Sequence, residues 1–293
     1  MSESTGVIHD IGYRHYEGVR LGRGHAVLAL TVHSLRGVFG LGRTARAKII
    51  PFLLVGVMMV PAVVSIAVMA LAKQQGGVAY TDYAVMMQAV LAIFLASQSP
   101  YTVAPDLRFR VLPLYMSRPV TIWDYIIAKL AAMMTAMFLL LAVPLTVLFI
   151  GELLVDLPGD PLTGRYLISM AGAVFYALLL SCLGVAIASF TPRRGLGVAS
   201  VIAFYLLTSA VSAVLSATLE SMGNDTAAPW ARLIDPFLLV DAAVHVGIFG
   251  AAPAQSGVYS SAALPAVAAV IMVALIALSV TALILRYRKA ASR

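Results

Sequence analysis

The sequence predicts an all-α integral membrane protein with six transmembrane helices, and three observations predict it. Hydrophobic residues make up 61% of the 293 positions and charged residues 11%, whereas a soluble domain carries about 25% charged residues. Apolar runs recur along the chain, most near the about 20 residues that cross a hydrocarbon core of about 30 Å. The basic residues fall in alternate connecting segments, as the positive-inside rule requires of a multi-pass protein. That distribution makes the net charge of +7 a signal of membrane orientation, and no nucleic-acid partner is expected. Cys182 is the single cysteine, which excludes an internal disulfide and a CxxC site. It sits inside an apolar run, as a small packing residue does.

Residues 1–48 are read as a cytoplasmic N-terminal segment, since they lack the early apolar run of a cleaved signal peptide. Between His25 and Phe39, Leu28, Val32, Leu35 and Phe39 recur at helical spacing while His25, His33, Ser34 and Arg36 are polar. This pattern predicts an amphipathic helix in the membrane interface, followed by Arg43, Arg46 and Lys48 among anionic headgroups. Packing of the same helix on a soluble partner is compatible with it. The transmembrane domain is expected over 49–285, with spans at 49–71, 83–98, 125–150, 166–190, 196–218 and 261–285. Pro51 and Pro61 are candidate kinks in the first span. The loop from Glu152 to Arg165 is acidic, as an outer loop can be. Between the fifth and sixth spans, Asp235-Pro236 starts and Gly250 stops a helix too short to cross, read as external or re-entrant. Residues 286–293 form a basic cytoplasmic tail.

Charge tests this topology. With both termini inside, 17 of the 20 basic residues fall on the cytoplasmic side, and only Lys73, Arg165 and Arg232 lie outside. Making 235–250 a seventh span would put the basic tail outside, so charge and length reject it together.

The polar interruption from Pro105 to Leu130 organises the rest. Pro105 suits a first helical turn with Asp106 near the positive end of the dipole, and Pro113 stops that helix about two turns later. Arg108, Arg110 and Arg118 make the segment basic; Thr121 and Asp124 have capping-box spacing before the next apolar run. A short rigid helix held on one membrane face can pass force from a soluble partner to two spans, and a basic loop anchored at the headgroups is the simpler alternative.

In its order Asp-Leu-Arg, Leu-Pro-Leu-Tyr, Ser-Arg-Pro-Val, Asp-Tyr and Lys129, this segment resembles the region after the second span of ABC-2 type permeases, the membrane subunits of ABC exporters. Gly12-Tyr13-Arg14-His15-Tyr16 and Arg20-Leu21-Gly22-Arg23 resemble permeases of actinobacterial type. The resemblance implies that 105–118 is a cytoplasmic coupling helix docking on an ATPase through Asp106, Leu107, Arg108, Arg110, Arg118 and Pro119. It also implies a dimer with a second copy or a paralogue, two ATP-binding cassette ATPase subunits carrying ATP and magnesium, and a place in the cytoplasmic membrane. Cargo would pass between the two permease copies, near spans two and five.

The residues themselves offer no competing engine. No ionisable group is expected in the middle of a span, where an ion-coupled secondary transporter needs one. Gly22-Arg23-Gly24 and Gly40-Leu41-Gly42-Arg43 lack the lysine and hydroxyl of a phosphate loop, and read as flexible turns. For an intramembrane enzyme the nearest candidate is Asp241 with His245, an i,i+4 pair read as a surface ion pair. No cofactor or metal is expected on the chain. Gln88, Ser97 and Gln98 in the second span are candidate cargo contacts, or helix-packing residues.

Overall fold

A computed structural model describes residues 17–18, 21–74, 77–109, 115, 120–155, 162–191, 193–254 and 263–291. Among them there are helices and turns and no strand. In order these are α1 (Arg23–Val38), α2 (Ala45–Ala72), α3 (Tyr83–Met86), α4 (Gln88–Arg108), α5 (Ile122–Leu154) and α6 (Thr163–Phe190). The chain continues with α7 (Arg194–Ser221), α8 (Ala228–Arg232), α9 (Pro236–Val240) with a π-helical continuation (Asp241–Val246), and α10 (Ala263–Ala291). Five of these, α2, α5, α6, α7 and α10, are long and apolar enough to cross a membrane.

The segment expected as the second of six spans is helical, but it is not among these five. Helix starts at Tyr83 as predicted, breaks at Met87 and resumes as α4, which runs ten residues beyond the expected end at Gln98. Pro105 therefore does not begin a separate helix. It lies in the last turn of α4, where its carbonyl still accepts from the Phe109 N–H at 2.9 Å. A proline disfavours a helix interior by removing one hydrogen bond and crowding the preceding turn, and enclosure by neighbouring helices offsets that loss. Pro100 is buried in α4, and α2 likewise continues through Pro51 and Pro61.

Enclosure also accounts for α4's composition. Its Gln98, Ser99 and Thr102 are buried along with Leu91, Phe94, Leu95 and Val103, so its polar side chains meet protein. By contrast α7 exposes Leu206, Leu207, Val214 and Leu215, and α10 exposes Val270, Val273 and Leu278. The least apolar long helix is enclosed while α7 and α10 turn apolar side chains outward, the arrangement a bilayer solvent selects.

Helix α1 packs at one end of this bundle, joined to α5 by Arg23 and to α4 by Phe39, whose ring centroid lies 6.0 Å from that of Phe94. Its packing face runs through Leu30, Ser34 and Val38, roughly a third of a turn from the predicted stripe. Leu35 and Phe39 flank that face and touch the core. Leu28 and Val32 do not: they are 60% and 45% exposed.

The segment between α7 and α10 is enclosed. Asp235 accepts the Phe237 N–H at 2.8 Å and caps α9, and Ser209 of α7 donates to its other oxygen at 2.7 Å. Every residue from Pro236 to His245 is buried, because this short helix fills the space between α6 and α10. The Asp241–His245 pair, Nδ1 to Oδ1 at 2.9 Å, is thus buried rather than at the surface. A second Asp241 oxygen accepts from the Ala254 N–H at 3.0 Å. Among the described residues no group of three such side chains is placed to hold a metal ion.

His245 fits only because α6 has a glycine opposite it. A Cβ on Gly172 would lie 2.1 Å from His245 Nε2. We expect Gly172→Ala to destabilise the protein by about 1–3 kcal/mol, the usual range for overpacking. Because the loss comes from volume at this contact, Gly172→Val should lower the melting temperature further than Gly172→Ala; two variants as stable as the unaltered protein would show that the collision is not the cause.

Candidate functional site

The basic interruption noted in the sequence meets the bundle at the end where α4 finishes and α5 begins. Thr121 has extended backbone and caps α5: its hydroxyl accepts from the Asp124 N–H at 3.3 Å, while the Asp124 carboxylate accepts from the Thr121 N–H at 2.8 Å. The predicted capping box is therefore present, and it holds the Asp124 carboxylate beside the turn. Arg23 of α1 grips that carboxylate with two nitrogens, Nε at 2.7 Å and Nη2 at 2.9 Å, and donates to Thr121 Oγ1 at 3.0 Å. This bidentate fork fixes orientation as well as distance. Hydrogen bonding to Asp124, and then its charge, hold the Arg23 guanidinium above its ordinary pKa.

One turn deeper, the last turn of α4 is tied to α5. Lys129 Nζ lies 2.9 Å from Asp106 Oδ2, with the two side chains 10% and 16% exposed. The Tyr125 hydroxyl donates to the same Asp106 oxygen. Tyr125 is itself packed between Tyr115 and Tyr287, ring centroids 5.6 and 5.1 Å away, and Lys129 Nζ sits 5.4 Å from its ring centre. Burial, and then the Asp106 charge, push the Tyr115 hydroxyl pKa up. Tyr287 belongs to α10, and the adjacent Arg286 donates from Nε to the Ser189 carbonyl at the end of α6, 3.2 Å away. Five helices, α1, α4, α5, α6 and α10, are thus linked by polar or aromatic contacts at one end.

The hydroxyls of this cluster are spent on its carboxylates, Thr121 Oγ1 donating to Asp124 at 2.8 Å and Tyr125 to Asp106. Arg23 and Lys129 are matched to carboxylates on neighbouring helices and Arg286 to a helix-end carbonyl, so the chemistry is that of a joint between helices. A profile for ABC-2 family transporter proteins matches residues 48–285. The chain belongs to the ABC-2 transporter family. A comparison with curated proteins gave no match. As an ABC-2 permease the chain is a multi-pass membrane transport component, not itself catalytic, of a family that normally works with an ATP-binding cassette subunit.

In this permease the sequence-predicted coupling residues divide. Asp106 was expected to face a partner; its carboxylate is instead taken up by Lys129 and Tyr125. Leu107 packs partly against the core, and Arg108 is exposed with its guanidinium carbon 5.7 Å from the Phe109 ring centre. Arg110, Arg118 and Pro119 lie outside the described residues, as does most of the expected 105–118 helix.

The cargo candidates divide as well. Gln98 is buried and donates to Ser97 Oγ at 3.1 Å, while Ser97 donates to the Phe94 carbonyl at 2.9 Å; these contacts lie within α4. Gln88, at the opposite end of the helix, lines a cavity of about 270 Å³ with Ser209, Ser212 and Asp235. At that far end Glu152 is buried, accepting from the Tyr80 hydroxyl at 2.5 Å and the Leu162 N–H at 3.0 Å.

Sequence reasoning missed the Arg23–Asp124 and Asp106–Lys129 pairs, which join residues 101 and 23 positions apart. The only signal was opposite charge on segments flanking apolar runs. Breaking a buried pair by removing one partner costs about 3–5 kcal/mol, because the other charge is left uncompensated. Asp106→Leu alone should therefore sharply lower thermal stability in detergent, and Asp106→Leu with Lys129→Met should recover most of the loss. Equal destabilisation by the single and double variants would contradict the pairing.

Proposed function

We propose that this ABC-2 permease forms half of an ATP-driven exporter, with two copies, or one copy and a paralogue, enclosing the translocation path. Two separate ATPase subunits carry ATP and magnesium. The observation that carries this reading is the joint at the end of α4. Because Asp106 is tied to α5 and, through Tyr125, packed against α10, displacement of the 105–118 segment by a partner would move these helices together.

In this reading α3 and α4 together supply the second of six spans. α4 alone has 21 residues, about 31 Å of helix at 1.5 Å per residue, enough for the hydrocarbon core. Six spans place both termini on the cytoplasmic side, in keeping with the charge distribution. Helix α1 then lies at the cytoplasmic surface and braces α5 through Arg23. The α9 segment is re-entrant from the outer side, which accounts for its length and burial. Cargo would move near α4 and α7, and the apolar outward faces suit an amphiphilic drug, lipid or peptide-like molecule.

Ion-coupled secondary transport is the second reading, favoured by the burial of Asp241 with His245. Two measurements separate them. Arg108→Glu with Arg110→Glu should reduce cargo-stimulated ATP hydrolysis of the reconstituted complex to its unstimulated rate while leaving membrane insertion intact; unchanged stimulated turnover would remove the coupling role. Proteoliposomes holding the permease alone should accumulate no cargo under an imposed proton or sodium gradient. Accumulation there would favour the ion-coupled reading.

A further inference from the structure

A cavity beside α1 has no part in the transport reading. It lies between α1, the Leu41–Arg43 turn and Tyr101 of α4, with a volume of about 610 Å³, inside the range of about 300–1,000 Å³ typical of small-molecule sites. Its lining has two characters. Leu28, Val32 and Leu41 give an apolar side, and all three are more than 40% exposed. Arg36 and Arg43 give a cationic side, with His25 and His33 beside them, and among the described residues no carboxylate lines the cavity.

Arg43 is held in place by an aromatic ring. Gly37 lets Tyr101 approach α1 closely, since a Cβ there would stand 3.2 Å from the ring. The Arg43 guanidinium carbon stacks 4.1 Å from the centre of that ring. This contact positions the group and leaves its hydrogen-bond donors at the edge available. Among the described residues neither Arg36 nor Arg43 forms a salt bridge. Arg43 also stands two positions before Ala45, where the 28-residue helix α2 begins, so the cavity lies where a span leaves the hydrocarbon and phospholipid phosphates are found.

From these observations we infer that the α1 groove is a binding site for an anionic phospholipid, its phosphate between Arg36 and Arg43 and an acyl chain along Leu28 and Val32. The exposed half of α1's apolar stripe then has an apolar partner, and the unpaired guanidiniums have an anion. The inference rests on the proposed placement of α1 at the cytoplasmic membrane surface.

The test uses the full chain in phosphatidylcholine nanodiscs containing a trace of phosphatidylglycerol with a photoreactive acyl chain, with crosslinked peptides located by mass spectrometry. We expect labelling within residues 28–43 that excess unlabelled phosphatidylglycerol removes and added phosphatidylcholine does not. Each arginine at an anionic surface contributes roughly fivefold in affinity, so Arg36→Gln with Arg43→Gln should weaken competition by roughly 25-fold. Arg36→Lys alone, which keeps the charge and leaves the Arg43 stacking in place, should keep most of it. Equal competition by phosphatidylcholine, displacement by soluble glycerol phosphate, or wild-type labelling of the glutamine variant would each overturn the site. Crosslinks at Phe52 and Leu53, both exposed on α2, are the control for placement. If α2 is labelled and α1 is not, the topology stands and the lipid site falls; if neither is labelled, the placement of this end in the bilayer falls with it.

Discussion

The ion pair between Asp106 and Lys129 is the constraint on which the basic end of this permease depends. Two opposite charges 2.9 Å apart with little solvent contact attract far more strongly than they would in water, but each has also lost its hydration. Such a pair is poor evidence of added stability and better evidence of a required geometry, because either charge left alone would be costly. Tyr125 donating to the same carboxylate shares out its remaining acceptor capacity. The result is that the end of α4 has one low-energy position relative to α5. Arg23, clamped on Asp124 one turn away, extends that constraint to α1.

The second organising feature is where polarity is kept. A soluble bundle puts its apolar faces inside; this one encloses Gln98, Ser99, Thr102, Asp241 and His245 and turns leucine and valine outward on α7 and α10. In hydrocarbon every polar group must find a protein partner, so a helix with many of them belongs at the centre. Close approach supports this arrangement, as where Gly172 admits His245. A central helix need not be apolar enough to stand in lipid alone, which is why α4 falls short of the composition of the other long helices.

Much of the architecture was legible in the sequence, and the errors have physical causes. The apolar runs place α2, α5, α6 and α7 to within four residues at each end, since a bilayer imposes length and composition directly, whereas α10 continues to Ala291, six residues into the expected basic tail. Thr121 and Asp124 announced the start of α5 because a cap is a local interaction over three residues. Pro105 misled: the local rule that proline begins or breaks a helix was overridden by the surrounding bundle, and α4 runs to Arg108. The α1 stripe was found, but periodicity cannot say which of two adjacent faces meets protein, so Leu28 and Val32 were grouped with Leu35 and Phe39. Asp241 and His245 were read at the surface because their depth depends on how α6 and α10 close over them. Asp106 and Lys129 were each noted singly; their pairing depends on the mutual position of two helices, which no linear spacing encodes.

The most direct measurement is the distance between the end of α4 and the start of α5 through the ATP cycle. Spin labels on cysteines introduced at Phe109 and Trp123, with Cys182 replaced by serine, report it by pulsed electron resonance. Labelled chains diluted with unlabelled ones restrict the reading to pairs within one chain. If the ionic joint makes these helices one body, the distribution stays single and unchanged between the nucleotide-free and nucleotide-trapped complex. A distribution that splits or shifts on trapping would contradict it, by showing that α4 swings free of α5 when the partner moves.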